Sequence, residues 1–154
     1  MRRGLPRYAQ VYPLDKGFAL PDRVEKTDEE WQKILTPEQF HVCRGKGPER
    51  PFTGALYGNE RHGTYFCICC GNPLYHSETK FDSGTGWPSF SAAIAKGALK
   101  TETDSSLFMS RTEVMCARCD SHLGHIFNDG PAPTGMRHCI NSVSLRFVAD
   151  DDAA

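Results

Sequence analysis

Two C-x-x-C pairs, Cys67/Cys70 and Cys116/Cys119, constrain this chain more than any other feature, because residues 71–115 lie between them. Four thiolates suit a tetrahedral zinc ion, and a site filled by four protein ligands keeps no open position for catalysis. A metal held this way staples two distant hairpins together; the intervening segment is too long for a compact zinc ribbon. Gly71 lets the backbone curl at the first pair, and Cys69 stands beside Cys70 as a competing ligand without repeating the two-residue spacer. The alternative is a pair of redox-active dithiols. Seven cysteines, an odd number with four in C-x-x-C pairs, point to metal and reactive thiols in a reducing compartment and away from a disulfide scaffold.

The 154 residues make one domain by length. A formal net charge of -1 gives no electrostatic argument for nucleic acid or an anionic membrane surface, and no apolar run has the length of a membrane span. Residues 1–26, with Pro6, Pro13 and Pro21, read as an extended or partly disordered N-terminal extension. Arg2, Arg3 and Arg7 give it a faint transit-peptide character that Asp15, Asp22 and Glu25 dilute. Thr27 and Glu30 form a capping box ahead of Trp31, Ile34 and Leu35, which predicts a short amphipathic helix that Pro37 ends or restarts. From Phe40 onward the pattern turns to strands and turns. Phe40–Arg44, Pro73–His76, Leu99–Met109 and Thr112–Cys116 read as strands, Gly63–Asn72 as a strand running into a tight turn, and Ser91–Ala95 as a helical turn. The result is a mainly β domain over 27–149, followed by an acidic tail, 150–154, most simply solvated.

One cysteine stands outside both pairs. Cys139 follows Arg137 and His138 and precedes Asn141. A thiol is nucleophilic as its thiolate, and neighbouring cations lower its pKa. The run Ser142–Val148 places Val143, Leu145 and Phe147 on one face, so a half-buried strand would carry Cys139 at its leading end. Set against this is a buried structural cysteine. His122 and His125 flank Gly124 closely and suit acid–base work near neutral pH, or else packing; no carboxylate accompanies them at metal-binding spacing. Trp87, in a glycine-rich stretch, is either core or the wall of an apolar pocket.

With these residues the chain resembles the methionine-R-sulfoxide reductases of the B type. The matching blocks are Arg50–Gly54, Cys67–Cys70, Phe81–Phe90, Cys116–Cys119, His122–Phe127 and Arg137–Ser142. The resemblance implies two antiparallel sheets in a β-tent-like domain and one structural zinc per chain on Cys67, Cys70, Cys116 and Cys119. It implies Cys139 as nucleophile, and Trp87, His122, His125 and Asn141 lining the pocket. The implied reaction is reduction of R-configured methionine sulfoxide in oxidised proteins and peptides. Cys139 attacks the sulfoxide sulfur, helped by Arg137, protons come from the histidines, Asn141 orients, and a sulfenic acid remains. Many relatives carry a resolving cysteine where this chain has Thr85. Among the remaining thiols Cys43 is the candidate to form the disulfide that thioredoxin reduces, its other reading being a small buried strand residue. The expected location is cytoplasmic, with an organellar address in the N-terminal extension as the alternative.

Overall fold

A computed structural model describes residues 23–106 and 109–152; the proposed transit-like arginines lie outside them. Among the described residues two short helices come first, α1 (Asp28–Ile34) and α2 (Pro37–Cys43). Nine strands follow: β1 (Gly63–Cys67), β2 (Pro73–His76), β3 (Lys80–Phe81), β4 (Ser89–Phe90), β5 (Leu99–Asp104), β6 (Arg111–Cys116), β7 (His122–Phe127), β8 (Arg137–Ile140) and β9 (Leu145–Ala149). They form two antiparallel sheets, one of order β2-β1-β9 and one of order β3-β4-β8-β7-β6-β5. The mainly β architecture with two antiparallel sheets is therefore as expected.

Several local expectations are corrected. Phe40–Cys43 is helix, not strand, and Arg44 is its C-cap. Thr36 accepts the Gln39 N–H while the Gln39 side chain accepts the Thr36 N–H, and Pro37 opens the helix. A second capping box thus restarts the helix where Pro37 interrupts the first one. Ser91–Ala95 is a run of bends, because the Ser91 and Ile94 amides donate to Thr79 and Leu74 across the fold and not to neighbouring turns. The strand after Cys139 is two elements. Cys139 lies inside β8, a turn of 3-10 helix at Ser142–Ser144 breaks the chain, and β9 joins the other sheet. The first tail residue is not free, since the Asp150 N–H donates to His62 O and its carboxylate lies 3.7 Å from His76.

The core sits between the sheets. Tyr75 from the small sheet stacks on Phe90 from the large one, centroids 4.3 Å apart and planes at 17°, and Tyr65 meets Phe90 edge-on at 5.0 Å. Trp31, Leu74, Val114, Leu123, Ile140 and Leu145 belong to the same cluster. Burial alternates along β8: His138 and Ile140 are buried, whereas Arg137 and Cys139 are only partly so. One face of the large sheet is thereby committed to the core, and the other is left to build a site.

Candidate active site

Antiparallel register places Glu113, His125, Cys139 and Ser89 in one row across β6, β7, β8 and β4. Cross-strand partners project to the same face, so Arg137, two residues before Cys139, joins them. A cavity of about 500 Å³ opens over this face, and its lining includes Trp87, His122, His125, Arg137, Cys139 and Asn141. Six of the sequence-predicted residues are thus brought together; Cys43 is not.

His122 and His125, three apart, would point to opposite faces of a regular strand. A bulge in the β6–β7 pairing, where Val114 faces Gly124 and Met115 faces His122, inserts Leu123 and turns both rings to one side. Their centroids are 5.6 Å apart. Gly124 between them is required by packing, because a Cβ there would lie 1.9 Å from the Cys139 carbonyl oxygen. Each ring is anchored by a carboxylate. His122 Nδ1 lies 2.6 Å from Glu113 Oε2, and His125 Nε2 lies 2.8 Å from Asp104 Oδ2. Each carboxylate in turn meets a cation, Lys46 at 2.9 Å for Glu113 and Arg111 at 3.1 Å for Asp104. The carboxylates absent at local spacing are supplied by neighbouring strands. Burial holds the His122 imidazole below its ordinary pKa, against the upward pull of Glu113.

Cys139 is pushed above the usual thiol range by burial; the Arg137 guanidinium and the Thr85 hydroxyl pull it down but do not prevail. Arg137 and Thr85 therefore moderate a thiol whose pKa burial raises, where the local sequence suggested a lowered one. Arg137 is itself fixed by Asp129, at 2.8 and 3.2 Å, and lies over the Phe127 ring at 4.4 Å. Asn141 donates its side-chain amide to Leu123 O at 3.1 Å and its backbone N–H to the same oxygen at 2.8 Å, tying the end of β8 to the bulge. Glu49, which sequence reasoning missed, links two parts of the wall. Its buried carboxylate accepts the Ser142 and Val143 N–H groups at 3.1 and 2.9 Å, and its carbonyl accepts Trp87 Nε1–H at 3.0 Å.

Outside the lining of this cavity, Cys67, Cys70, Cys116 and Cys119 gather their sulfurs within 4.8 Å of one another, close enough to hold a metal ion. Sulfur pairs at 3.6 Å match the roughly 3.8 Å edge of a tetrahedron with 2.3 Å metal–sulfur bonds. The Arg44 guanidinium donates to Cys119 Sγ at 3.7 Å and the Asn72 amide to Cys116 Sγ at 3.7 Å. Such donors suit sulfurs carrying negative charge. Cys69 is turned to Ser121. Cys43 is buried on α2 against Ser144, its thiol held well above the usual range beside Cys69.

Residues 35–149 match the SelR domain. The chain is 59% identical over 129 residues to the peptide methionine sulfoxide reductase MsrB of Methanosarcina barkeri, covering 84% of this chain and 91% of that one. The chain belongs to the MsrB family. It is similar also to the MsrB proteins of Hahella chejuensis (57% identity, 86% and 96% covered) and Pseudomonas putida (59%, 85% and 98%). Like other MsrB proteins, the chain is a peptide methionine sulfoxide reductase, an oxidoreductase. Within this MsrB fold a local signal for Glu113 was present, a carboxylate inside the strand-like run Thr112–Cys116. The signal for Asp104 and Glu49 was not, since both reach the site through tertiary contacts.

Proposed function

We propose that the protein reduces the R epimer of methionine sulfoxide at Cys139, through a thiol/sulfenic acid cycle. The observation that carries this reading is the convergence, over one face of the large sheet, of a single metal-free cysteine with two carboxylate-anchored histidines. Trp87 offers an indole wall for the substrate methyl group. The sulfoxide sulfur is electrophilic, and its oxygen leaves only after gaining protons. Cys139 sulfur bonds to that sulfur, its thiol proton and a histidine proton pass to the oxygen, and Arg137 steadies the developing thiolate. The doubly protonated oxygen leaves as water, giving a cysteinyl sulfonium. Water then attacks the Cys139 sulfur, and the S–S bond breaks with its electron pair on the departing methionine. The released proton returns to the histidine, and Cys139 is left as sulfenic acid. Condensation with a second thiol expels water and forms a disulfide, which a dithiol such as thioredoxin reduces.

Cys43 is the intramolecular candidate for that second thiol. It would have to leave its buried place against Ser144. Direct attack by the external dithiol is the second reading, favoured because Thr85, and no cysteine besides Cys139, lines the cavity. Peptide mapping after one equivalent of sulfoxide separates the two: a Cys43–Cys139 linked peptide supports the first, a persisting sulfenic acid the second. The four-cysteine cluster is proposed to hold structural zinc. Its residues lie outside the reaction and would serve by fixing the two sheets. Among the described residues no helix is long and apolar enough to cross a membrane, and the proposed setting is cytoplasmic.

The test of the whole reading is a stereospecific assay with dithiothreitol. Wild type should consume the R epimer and leave the S epimer. Cys139→Ser should lose activity while keeping fold and metal. Turnover above a few per cent in that variant would remove Cys139 as nucleophile.

A further inference from the structure

Glu113 is nearly inaccessible, with 5% of its side chain exposed, yet it stands between two bases. Its Oε1 accepts from Lys46 Nζ at 2.9 Å and its Oε2 faces His122 Nδ1 at 2.6 Å. Lys46 reaches it from an unusual backbone. Its φ is +57°, a region β-carbon residues avoid, between Gly45 and Gly47, where a Cβ would meet His41 at 2.8 and 2.0 Å. A strained residue in a tightly packed loop thus delivers the ammonium to a buried acid. We propose that Glu113 is a positioning residue for the reaction: clamped by Lys46, it sets the tautomer and the protonation of His122. This rests on the reading of His122 as a proton donor.

The chemistry follows from what each atom can donate. A carboxylate only accepts, so the ring nitrogen facing it, Nδ1, must carry hydrogen. That leaves Nε2 as the ring position through which His122 exchanges a proton. Lys46 and His122 together keep Glu113 below the ordinary carboxylate range despite the opposing effect of burial. The acid favours the imidazolium, whereas Lys46 and His125 disfavour it. The other charges bearing on the group are Glu102 and Asp104, which act on Lys46. Glu113 and Lys46 therefore push the same ring in opposite directions, which a purely structural contact between β6 and β7 would not do.

The experiment follows the His122 ring by NMR titration in wild type, Glu113→Gln and Lys46→Met at low ionic strength, the resonance being assigned by its loss in His122→Asn. The pH dependence of single-turnover sulfoxide reduction is measured beside it. Glu113→Gln should lower the His122 midpoint and slow the chemical step by roughly tenfold to hundredfold, within what general acid catalysis supplies, with little change in KM. Lys46→Met should raise the midpoint and carry the limb of the pH–rate profile to higher pH. A midpoint unmoved by Lys46→Met, or moved the same way by both changes, overturns the proposal. Should Glu113→Gln fail to fold, the largely exposed Lys46→Met decides alone. If the midpoints separate as expected while the rate profiles coincide, Glu113 does govern His122, and the proton-donor role of His122 is what falls.

Discussion

His138 and Cys139 are neighbours on β8 that face opposite sides of one sheet, and burial shapes both. The His138 ring packs in the core against Tyr75, whose hydroxyl lies 2.8 Å from Nδ1, and burial holds its pKa down to about 4. Unfolded, the imidazole would bind a proton near 6.5. The unfolded state therefore takes up the proton first as pH falls. The stability contributed by the neutral ring is complete above about 6.5 and is lost progressively down to about 4. At 1.36 kcal/mol per pKa unit this amounts to at most about 3 kcal/mol. His122 and His76, also held low by burial, add to the same trend. Thermal unfolding of wild type should show the melting temperature falling across that window. His138→Gln, which retains an acceptor for Tyr75, should show a shallower fall, and equal slopes would contradict this account.

α2 is a seven-residue helix whose stability depends on its ends. Its buried residues are Val42 and Cys43, the latter touching Ser144 in the turn between β8 and β9. The capping box at Thr36 satisfies two amides that a helix so short would leave open. Thr36→Ala should destabilise the protein by about 1 kcal/mol, read as a shift in denaturant midpoint with unchanged slope. Val42→Ala, which opens the α2 core contact, should lose more than the cap. The same box shows why a strand was misread here. The run from Phe40 to Cys43 has the apolar character of a short strand, and only the capping signal four residues earlier tells helix from strand. The break at Ser142–Ser144 is the converse case. The alternation through Val143, Leu145 and Phe147 is continuous in sequence, but Glu49 seizes the Ser142 and Val143 amides and ends the pairing.

For the molecule as a whole, the four-cysteine cluster would act as a staple with the proposed metal bound. Cys67 closes β1 in the small sheet and Cys116 closes β6 in the large one, so a metal on these sulfurs joins the two sheets at one end. The aromatic contacts of Tyr75 and Phe90 join them through the core. The segment before α1 contributes too, since the Val24 N–H donates to Arg118 O and Arg23 pairs with Asp120 at 2.6 Å, both beside the second cysteine pair. Cys116→Ser should lower metal content and melting temperature together, because binding free energy at a structural site is folding free energy. Metal analysis beside calorimetry checks this. A chelated, metal-free protein melting as high as the loaded one would assign the sheets' union to the aromatic core alone.

Spacing was enough to single out the four cysteines that cluster, because a C-x-x-C turn presents two sulfurs to one point. Short apolar and aromatic runs bounded by turn residues were enough for most strands, and so for a mainly β fold, since both signals are local. Cys139, His122, His125 and Trp87 stood out as candidates through their chemistry and their resemblance to a family. Their assembly was not legible locally. The two histidines share a face through a one-residue bulge, which depends on which strand lies opposite. Glu113 and Asp104 meet them through strand order and register, and Glu49 arrives from a loop. Burial, which raises the Cys139 thiol and lowers His122, exists only when the chain has closed over them. Local preference writes the elements; charge state and partnership belong to the packed sheet, where distance through space replaces distance along the chain.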